Sequence, residues 1–442
     1  MPPRVDTPVD TASDADGRLA RVVGVPGAAF LGLGSILGTG VFVSIGIAAG
    51  VAGPAVVLAI ALAALVATFN GLSSAQLAAN HPVSGGTYEY GHRYLNPTLG
   101  FVAGWTFLLA KSASAATAAL GFAGYALAAL GQEAGRAGQV GLALAALLAL
   151  TVLVAGGVSR SSRANVAIVS VTLLALGGFV VAGLPAAAAG GATHLRPFLP
   201  AEGGLGSLLQ ATALVFVAFT GYGRIATLGE EVREPRRTIP RAIVLALAGT
   251  MLLYAAVALV AVMAAGAPAL ARATRGVAAP LEVIARGFQP AGVAWLVAVG
   301  AVTAMLGVLL NLLLGLSRVL LAMARRGDMP GRLAAVSPRS SSPTAAVIAA
   351  GVGIAGLVAI GDLKTTWSFS AFTVLVYYAI TNLAALRLGP EERLFPPAVP
   401  AAGLVSCLGL AFWVEPRVWL AGLGLVAVGL VWHAVARRLR SS

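Results

Sequence analysis

Charged side chains are scarce in this sequence. They make up 10% of its 442 residues, whereas a soluble domain carries about 25%. From Val22 to Tyr88 the chain has no Asp, Glu, Lys or Arg at all. A helix that crosses lipid needs roughly 20 apolar residues, so this run alone can supply two such helices. The scarcity of charge excludes an ordinary soluble domain and predicts an all-α polytopic membrane protein.

Cysteine is almost absent as well. Cys407 is the single cysteine and lies in an apolar run, which excludes a disulfide framework and a Cys-based metal site. The four histidines are scattered in loops or near the ends of apolar runs: His81, His92, His194 and His433. The sequence has no GxxxxGK[ST] loop and no arguable Ser–His–Asp arrangement. We therefore expect no metal, no cofactor and no enzymatic activity.

The net charge of +13 does not indicate a nucleic-acid partner. The basic residues are not gathered on one soluble segment but punctuate the apolar runs, where they mark loops. With charge clusters and Pro/Gly stretches taken as loops, the sequence predicts twelve membrane spans. They cover residues 22–50, 54–78, 98–130, 139–157, 164–187, 206–229, 240–266, 290–322, 343–360, 365–387, 398–414 and 417–436.

The basic residues also predict the orientation of the chain. If the N-terminus is inside, most arginines fall in cytoplasmic segments, as the positive-inside rule requires. Both termini are therefore predicted to be cytoplasmic, in a bacterial inner membrane. Residues 1–21 are polar and lack the features of a signal peptide, so we expect a disordered tail there, and residues 437–442 form the other tail.

Two of the predicted spans carry helix breakers. Span 1 contains "ILGTG" (Ile36–Gly40) and span 6 contains "FTGYG" (Phe219–Gly223). The two lie five spans apart, and an odd number inverts the orientation, so two five-helix units would be related by a two-fold axis in the membrane plane. Paired interruptions of this kind point to a transporter binding site.

Unwinding a membrane helix is costly unless the freed backbone lines a cavity or is buried in protein. Freed N–H groups at a half-helix N-terminus suit an anion, and freed carbonyls suit an ammonium. Together they fit a zwitterion such as an amino acid. An alternative is simple helix packing, because Gly34 with Gly38, and Gly46 with Gly50, form GxxxG motifs.

Four segments, in this order, resemble the amino acid–polyamine–organocation (APC) transporter superfamily. They read "GLGSILGTGVFVSIG", "HPVSGGTYEYGHRYLNPTLGFVAGW", "AFTGYGRIATLGEEVREPRRTIPRAI" and "GLSRVLLAMARRGDMP". The resemblance implies two inverted five-helix repeats, residues 22–187 and 206–387, in which helices 1 and 6 are discontinuous. Two accessory helices would follow in residues 398–436. It also implies a bacterial amino acid permease, often proton-coupled or an exchanger.

The resemblance further implies which residues meet the substrate. The first interrupted segment would hold the carboxylate and part of the ammonium, and the second would complete the ammonium site. Tyr222 would cover the substrate with its ring; the alternative is a packed aromatic side chain whose hydroxyl is satisfied. The substrate-binding candidates are Ile36, Gly38, Thr39, Gly40, Val217, Ala218, Phe219, Thr220, Gly221 and Tyr222.

The chain departs from the family at the fifth helix. Many proton-linked relatives carry a lysine there, whereas this span has none, and Thr172 is the best match to that position. Lys111 in span 3 is the alternative coupling candidate, because a charge inside the membrane marks function by default. Its expected partners are hydroxyls and freed carbonyls near Ser35 or Thr39. A lysine that extends its head to the interface is the competing interpretation.

Three further charged residues are candidates for gating. Arg224 follows "GYG" directly and either pairs with Glu230 or Glu231 or lies in the substrate pocket, where it would favour acidic or strongly polar substrates. Glu230 and Glu231 close span 6, either as a cytoplasmic gate or as ordinary partners of nearby arginines, where an exposed pair contributes about 0–1 kcal/mol.

Three functions remain to be weighed. The leading hypothesis is a secondary active transporter of an amino acid or a related amine. We expect protons to be the coupling ion, in symport or in exchange. The alternative is a transport-inactive membrane sensor of the same fold. This alternative is disfavoured because the sequence shows no additional soluble domain that could signal. A channel is disfavoured because polar residues are too sparse to line a continuous pore.

Overall fold

The chain forms an all-helical bundle in a computed structural model that describes residues 23–81, 85–132, 135–157, 162–226, 232–337, 340 and 342–441. The predicted N-terminal tail lies outside these residues. The α-helices are, in chain order, α1 Val25–Ile36, α2 Ile45–Ala52, α3 Val56–Asn80, α4 Thr87–Tyr94, α5 Pro97–Ala129, α6 Arg136–Ala155, α7 Ser162–His194, α8 Gly204–Phe219, α9 Gly223–Ala226, α10 Pro235–Ala265, α11 Ala267–Val277, α12 Pro280–Ala285, α13 Val293–Arg325, α14 Thr344–Ile360, α15 Leu363–Leu386, α16 Ala398–Ala411 and α17 Pro416–Ser441.

Local sequence signals set where the long helices begin. The side chain of Asn96 caps α5 by accepting a hydrogen bond from the Leu99 amide at 2.8 Å, and Pro97 follows it at the first helical position. Asp362 caps α15 in the same way through the Thr365 amide. Both residue types satisfy amides that have no partner within the helix. These caps fix the first turns of the two helices that later carry site residues.

The number of helices suited to a membrane agrees with a polytopic protein. Within the described ranges, nine helical segments are long and apolar enough to cross a bilayer, and three shorter apolar helices accompany them: Val25–Ile36, Thr344–Ile360 and Ala398–Ala411. The first long segment, Gly40–Asn80, runs from the interrupted region through α3. The all-α membrane fold predicted from the sequence is thus confirmed, whereas the count of twelve crossings and the two inverted repeats stay predictions.

The outer surface of the bundle is apolar. Large side chains such as Leu148 and Val152 on α6, Leu174 on α7 and Val405 on α16 are exposed by 61–71%. An apolar surface of this extent is unfavourable in water and marks contact with a membrane or another protein. Because these residues lie on apolar helices of a membrane fold, their exposed faces are suited to lipid.

The interrupted segments lie inside the bundle. Helix α5 packs against α15 and α13, while α10 packs against α7 and α3. Helix α1 lies against α10 and α7, and α8 lies against α3 and α2. As a result, Ile36, Phe42, Phe219 and Tyr222 are fully or almost fully buried. This places both helix breaks away from lipid, where irregular backbone is tolerated.

Candidate functional site

The first interruption lies where the sequence predicts it. Helix α1 ends at Ile36, and Leu37 adopts an extended conformation (φ −72°, ψ 115°). The chain re-forms as a π-helix over Gly40–Ser44 and continues as α2. The Gly38 carbonyl accepts from the amides of both Val41 and Phe42 at 3.2 Å. Leu37 and Gly38 therefore form the break itself.

The second interruption is milder. Helix α8 ends at Phe219 and tightens into a 3₁₀ turn over Thr220–Tyr222 before α9 begins. The Thr220 hydroxyl donates to the Val217 carbonyl at 2.9 Å. A 3₁₀ piece inside a helix often marks a functional hinge. The FTGYG sequence thus distorts its helix at the predicted place, by tightening one turn while the segment stays helical from Gly204 to Ala226.

The two interruptions touch each other through their glycines. A Cβ added at Gly221 would overlap the carbonyl of Ser35 and the amide nitrogen of Ile36. A Cβ at Gly40 would lie 2.6 Å from the Cβ of Ala218. Only glycine permits this approach of two backbones. The predicted substrate-binding residues of the two segments are therefore brought together in one place.

Tyrosine hydroxyls from other helices hold the freed carbonyls. Tyr254 of α10 donates to the Ile36 carbonyl at 2.9 Å, and Tyr125 of α5 donates to the Phe42 carbonyl at 2.7 Å. Tyr378 of α15 donates to the Thr220 carbonyl at 3.3 Å. Buried backbone groups need such partners. The irregular backbone is thus fixed by its surroundings and does not depend on a ligand for its shape.

Thr39 is the polar side chain of the first break that stays unpaired. It is 4% exposed, and its hydroxyl has no hydrogen-bond partner among the described residues. A buried hydroxyl without a partner costs about 1–3 kcal/mol. A ligand that hydrogen-bonds this hydroxyl would recover part of that cost.

Lys111 reaches the site from α5. Its ammonium donates to the Thr220 hydroxyl at 3.0 Å, so a chain of hydrogen bonds runs from Lys111 through Thr220 to the Val217 carbonyl. The partner is a hydroxyl, as expected, but it lies on the second interrupted segment and not near Ser35 or Thr39. The sequence missed this because it does not fix the rotation of α5 about its axis. The contact also rules out a lysine head extended to the interface in this structure.

Thr172 has a local role in this structure. Its hydroxyl donates to the Ile168 carbonyl of its own helix, α7, at 2.7 Å. Another side chain of α7, that of Asn165, lies against the first interrupted helix, where a Cβ at Gly34 would overlap it. Asn165 is 4% exposed. An asparagine inside an apolar run was the signal that sequence reasoning overlooked.

The remaining candidates lie in different environments. Tyr222 is fully buried and its ring lies 5.5 Å from that of Tyr378. Arg224 is exposed in α9, which does not match a place within a closed substrate pocket. Glu230 and Glu231 lie outside the described residues, so their gating role stays a prediction.

The packing interpretation holds for the later glycines of the first span. A Cβ at Gly46 would overlap the Thr274 hydroxyl, and one at Gly50 would lie 3.1 Å from the Cβ of Ala271. Both neighbours belong to α11, so the second GxxxG motif is a helix-packing surface. The two readings of the glycines therefore apply to different parts of one span.

Comparison with known proteins agrees with this architecture. The profile of the family described as amino acid permease matches residues 27–437. An uncharacterized transporter of Mycobacterium tuberculosis is 42% identical over 427 residues, which cover 96% of this chain and 93% of the relative. The branched-chain amino acid permease BcaP of Bacillus subtilis is 29% identical over 445 residues and 94% of each chain. The methylthioribose transporter of the same species is 28% identical over 457 residues, 98% of this chain and 97% of the relative.

The extent of these matches decides the family. The profile and the relatives span nearly the whole chain, and they match a protein whose helices are of membrane-spanning character. The four segments that resemble the APC superfamily all lie within the matched residues. The chain therefore belongs to the amino acid permease family, within the APC superfamily of membrane transporters.

Proposed function

We propose that the protein is a secondary active transporter that moves an amino acid or a related amine across the bacterial cytoplasmic membrane by alternating access. The observation that carries the proposal is the contact between the two interrupted helices, where Gly221 lies against the backbone of Ser35 and Ile36. Backbone groups at such a junction can bind the charged ends of a zwitterion. The amino acid permease among the relatives supports the same substrate class.

Binding would divide between the two segments. The backbone of Gly38, Thr39 and Gly40 would meet the carboxylate, and the Thr39 hydroxyl adds a donor that has no partner among the described residues. The carbonyls of Val217, Ala218 and Phe219 lie at the C-terminal end of α8, where the helix dipole favours a cation such as the substrate ammonium. Side chains from other helices then decide which amino acid is accepted.

Lys111 is the proposed coupling residue. An amine inside the membrane is kept for function, and here it is joined through the Thr220 hydroxyl to the Val217 carbonyl. Gain or loss of a proton at Lys111 changes how strongly Thr220 is held, and Thr220 belongs to the hinge of the second interrupted helix. This link supports proton symport or proton-linked exchange.

Reconstitution in liposomes tests the proposal. Purified protein should take up at least one radiolabelled amino acid or amine, and uptake should be faster with an inward proton gradient. A thermal-shift screen can select the substrate first, because a ligand at 100 times its dissociation constant adds about 2.7 kcal/mol of stability. Binding without uptake or exchange would support the transport-inactive sensor instead, and no binding across the common amino acids and amines would overturn both.

The coupling role is tested with Lys111→Ala. We expect loss of gradient-driven uptake but retention of substrate exchange in the absence of a gradient, since exchange does not need net proton movement. Ser112→Ala, the next residue of α5, is the control and should behave like the unsubstituted protein. Gradient-driven uptake that persists in Lys111→Ala with an unchanged pH dependence would remove Lys111 from the mechanism.

A further inference from the structure

A second feature of the structure lies at the end of the bundle that is predicted to face outward. A cavity of about 430 Å³ opens there between α2, α6, α11 and the start of α15. Its volume falls in the range of small-molecule sites, about 300–1,000 Å³. None of the residues discussed so far as substrate-binding lines it. The cavity is therefore separate from the helix breaks.

The wall of the cavity is unevenly charged. Among the residues that the structure describes, Arg136 at the start of α6, Arg275 of α11 and Lys364 of α15 line it together with one carboxylate, that of Asp362. Lys364 forms an ion pair with Glu415 at 2.7 Å. Burial alone would raise the pKa of Glu415, but the adjacent Lys364 ammonium holds the pKa of that carboxyl below its ordinary value. Both members of the pair are therefore charged, and the carboxylate of Glu415 largely balances the positive charge of Lys364.

The two arginines keep more of their charge available. Arg275 is exposed and makes no ion pair or hydrogen bond with the described residues, while Arg136 makes only long hydrogen bonds, 3.4 and 3.5 Å, to the carbonyls of Ile360 and Gly361. The Asp362 carboxylate caps α15, where it accepts hydrogen bonds from the amide and the hydroxyl of Thr365. A concave wall with one dominant sign of charge concentrates ions of the opposite sign.

The cavity wall shares a helical segment with the first interruption. Gly46 and Ile47 form part of its wall, and both belong to the helical segment that starts at the first interruption. Gly46 follows Gly40 by six positions, which corresponds to roughly 9 Å along an α-helix. A solute bound in the cavity thus lies close, along this helical segment, to the first interruption.

We propose that this cavity is an anion-attracting vestibule, in which Arg136 and Arg275 receive the carboxylate of a solute before it reaches the helix breaks. That the solute is an amino acid rests on the proposed function; the preference for a small carboxylate does not. Arginine suits this role because its planar guanidinium matches a carboxylate in two parallel hydrogen bonds. The ammonium of an amino acid would then face the Asp362 side of the same wall.

Cysteine modification tests the vestibule without any transport measurement. Cys407 is buried, so a Cys407→Ala background with Val140→Cys places one accessible thiol in the cavity wall. The probes are the anionic 2-sulfonatoethyl and the cationic 2-trimethylammonioethyl methanethiosulfonates. The measured quantity is the reaction rate of the anionic reagent divided by that of the cationic reagent. This rate ratio is then divided by the same ratio for free 2-mercaptoethanol.

We expect a ratio above one that falls by roughly three- to tenfold in Arg275→Gln, with a similar fall in Arg136→Gln, because one unit charge is removed close to the thiol. Arg272→Gln is the matched control. Arg272 is exposed on the same helix one turn earlier but does not line the cavity, so its loss should leave the ratio nearly unchanged. The difference in rate ratio between the Arg275→Gln protein and the protein with both arginines should shrink in 1 M salt, which screens such charges.

A protection measurement tests carboxylate binding itself. Sodium propionate should slow modification of Val140→Cys more than sodium chloride at the same ionic strength, and this protection should vanish in Arg275→Gln. A lipid headgroup phosphate shares the chemistry of a carboxylate, so the measurement is repeated in phosphatidylcholine and in phosphatidylglycerol vesicles. Protection by phosphatidylglycerol alone would assign the arginines to lipid and overturn the proposal.

The outcomes separate the two proposals. Equal rate ratios in Arg275→Gln and Arg272→Gln, or no protection by propionate, would overturn the vestibule even if the protein transports amino acids. A charge-dependent ratio with propionate protection would support the vestibule even if no amino acid were transported.

Discussion

At Gly221 the backbones of the two interrupted helices meet. Any side chain there would overlap the Ser35 carbonyl and the Ile36 amide, which are backbone atoms and cannot rotate away. The requirement for glycine is thus steric and concerns the junction itself. Substitution at this position must separate the two segments that are proposed to share the substrate.

The first prediction concerns Gly221→Ala. We expect loss of substrate uptake by at least tenfold, because the methyl group forces the two breaks apart. Gly249→Ala is the control: a Cβ at this glycine of α10 meets nothing within 4 Å, and alanine is the better helix former by about 1 kcal/mol. Uptake by Gly221→Ala equal to that of the control would show that the contact is not needed for transport.

Tyr254 acts on the other side of the same junction. Its hydroxyl is the donor that satisfies the Ile36 carbonyl, at 2.9 Å, where α1 ends. The side chain is fully buried. Removing the hydroxyl leaves a buried carbonyl without this bond.

The second prediction is that Tyr254→Phe lowers the free energy of unfolding by about 1–3 kcal/mol, measured by thermal or denaturant unfolding in detergent. Thr250→Val is the control, because this buried hydroxyl lies one turn away on α10 and has no hydrogen-bond partner among the described residues. The control should be neutral or slightly stabilising. A Tyr254→Phe protein as stable as the control would mean that the Ile36 carbonyl finds another donor.

At the scale of the helix, the sequence predicts interruptions better than contacts. The Gly-x-Gly pairs break their helices whichever way the helices face, so both breaks are found where the glycines are. The partners of Lys111, Asn165 and Tyr254 depend on the rotation of each helix about its axis. Alternation of polar and apolar residues reveals that rotation in water, but a helix with lipid on one side and an apolar core on the other is apolar all round.

The C-terminal helix illustrates a contact that no pattern in the sequence reveals. The Asp328 carboxylate, which is 5% exposed, accepts a hydrogen bond from the Tyr88 hydroxyl at 2.8 Å and lies 3.3 Å from Nδ1 of His433. Trp432 donates to the Asp328 carbonyl at 2.9 Å. The ring of His433 stacks on Phe101. One aspartate thus joins α4, α17 and the turn after α13, which are far apart along the chain.

The third prediction concerns this link. Asp328→Asn keeps the size of the side chain but removes its charge, so the hydrogen bond from Tyr88 loses its charged acceptor and the His433 ring loses the carboxylate beside it. We expect a loss of roughly 1.5–3 kcal/mol, the range for hydrogen bonds to charged groups, seen as a lower midpoint of thermal unfolding. Glu202→Gln is the control, since Glu202 is exposed. Equal midpoints for the two variants would show that the carboxylate contributes no net stability.

For the whole molecule, composition predicts an all-helical membrane protein, whereas the orientation of the chain in the membrane needs a separate argument. Scarce charge and long apolar runs are enough to predict an all-helical membrane protein, because few other chains of this length tolerate such a composition. The spacing of the two breaks predicts that they act together, and the structure does bring them into contact. The side of the membrane on which each loop lies is predicted from the bias of arginine toward the cytoplasmic side.

The fourth prediction therefore concerns orientation. Gly135, just before α6, is predicted to lie outside, and Gly331, in the turn after α13, is predicted to lie inside. Both glycines are exposed, and a Cβ at either meets nothing within 4 Å, so cysteine is tolerated equally at the two sites. In intact cells that carry Cys407→Ala, a membrane-impermeant maleimide should label Gly135→Cys at once and Gly331→Cys only after permeabilisation. The arginine-rich turn after α13 would then face the cytoplasm, as the positive-inside rule requires. The reverse labelling pattern would invert the molecule and turn the Arg136–Arg275 vestibule toward the cytoplasm, where it would serve release of the solute in place of its uptake.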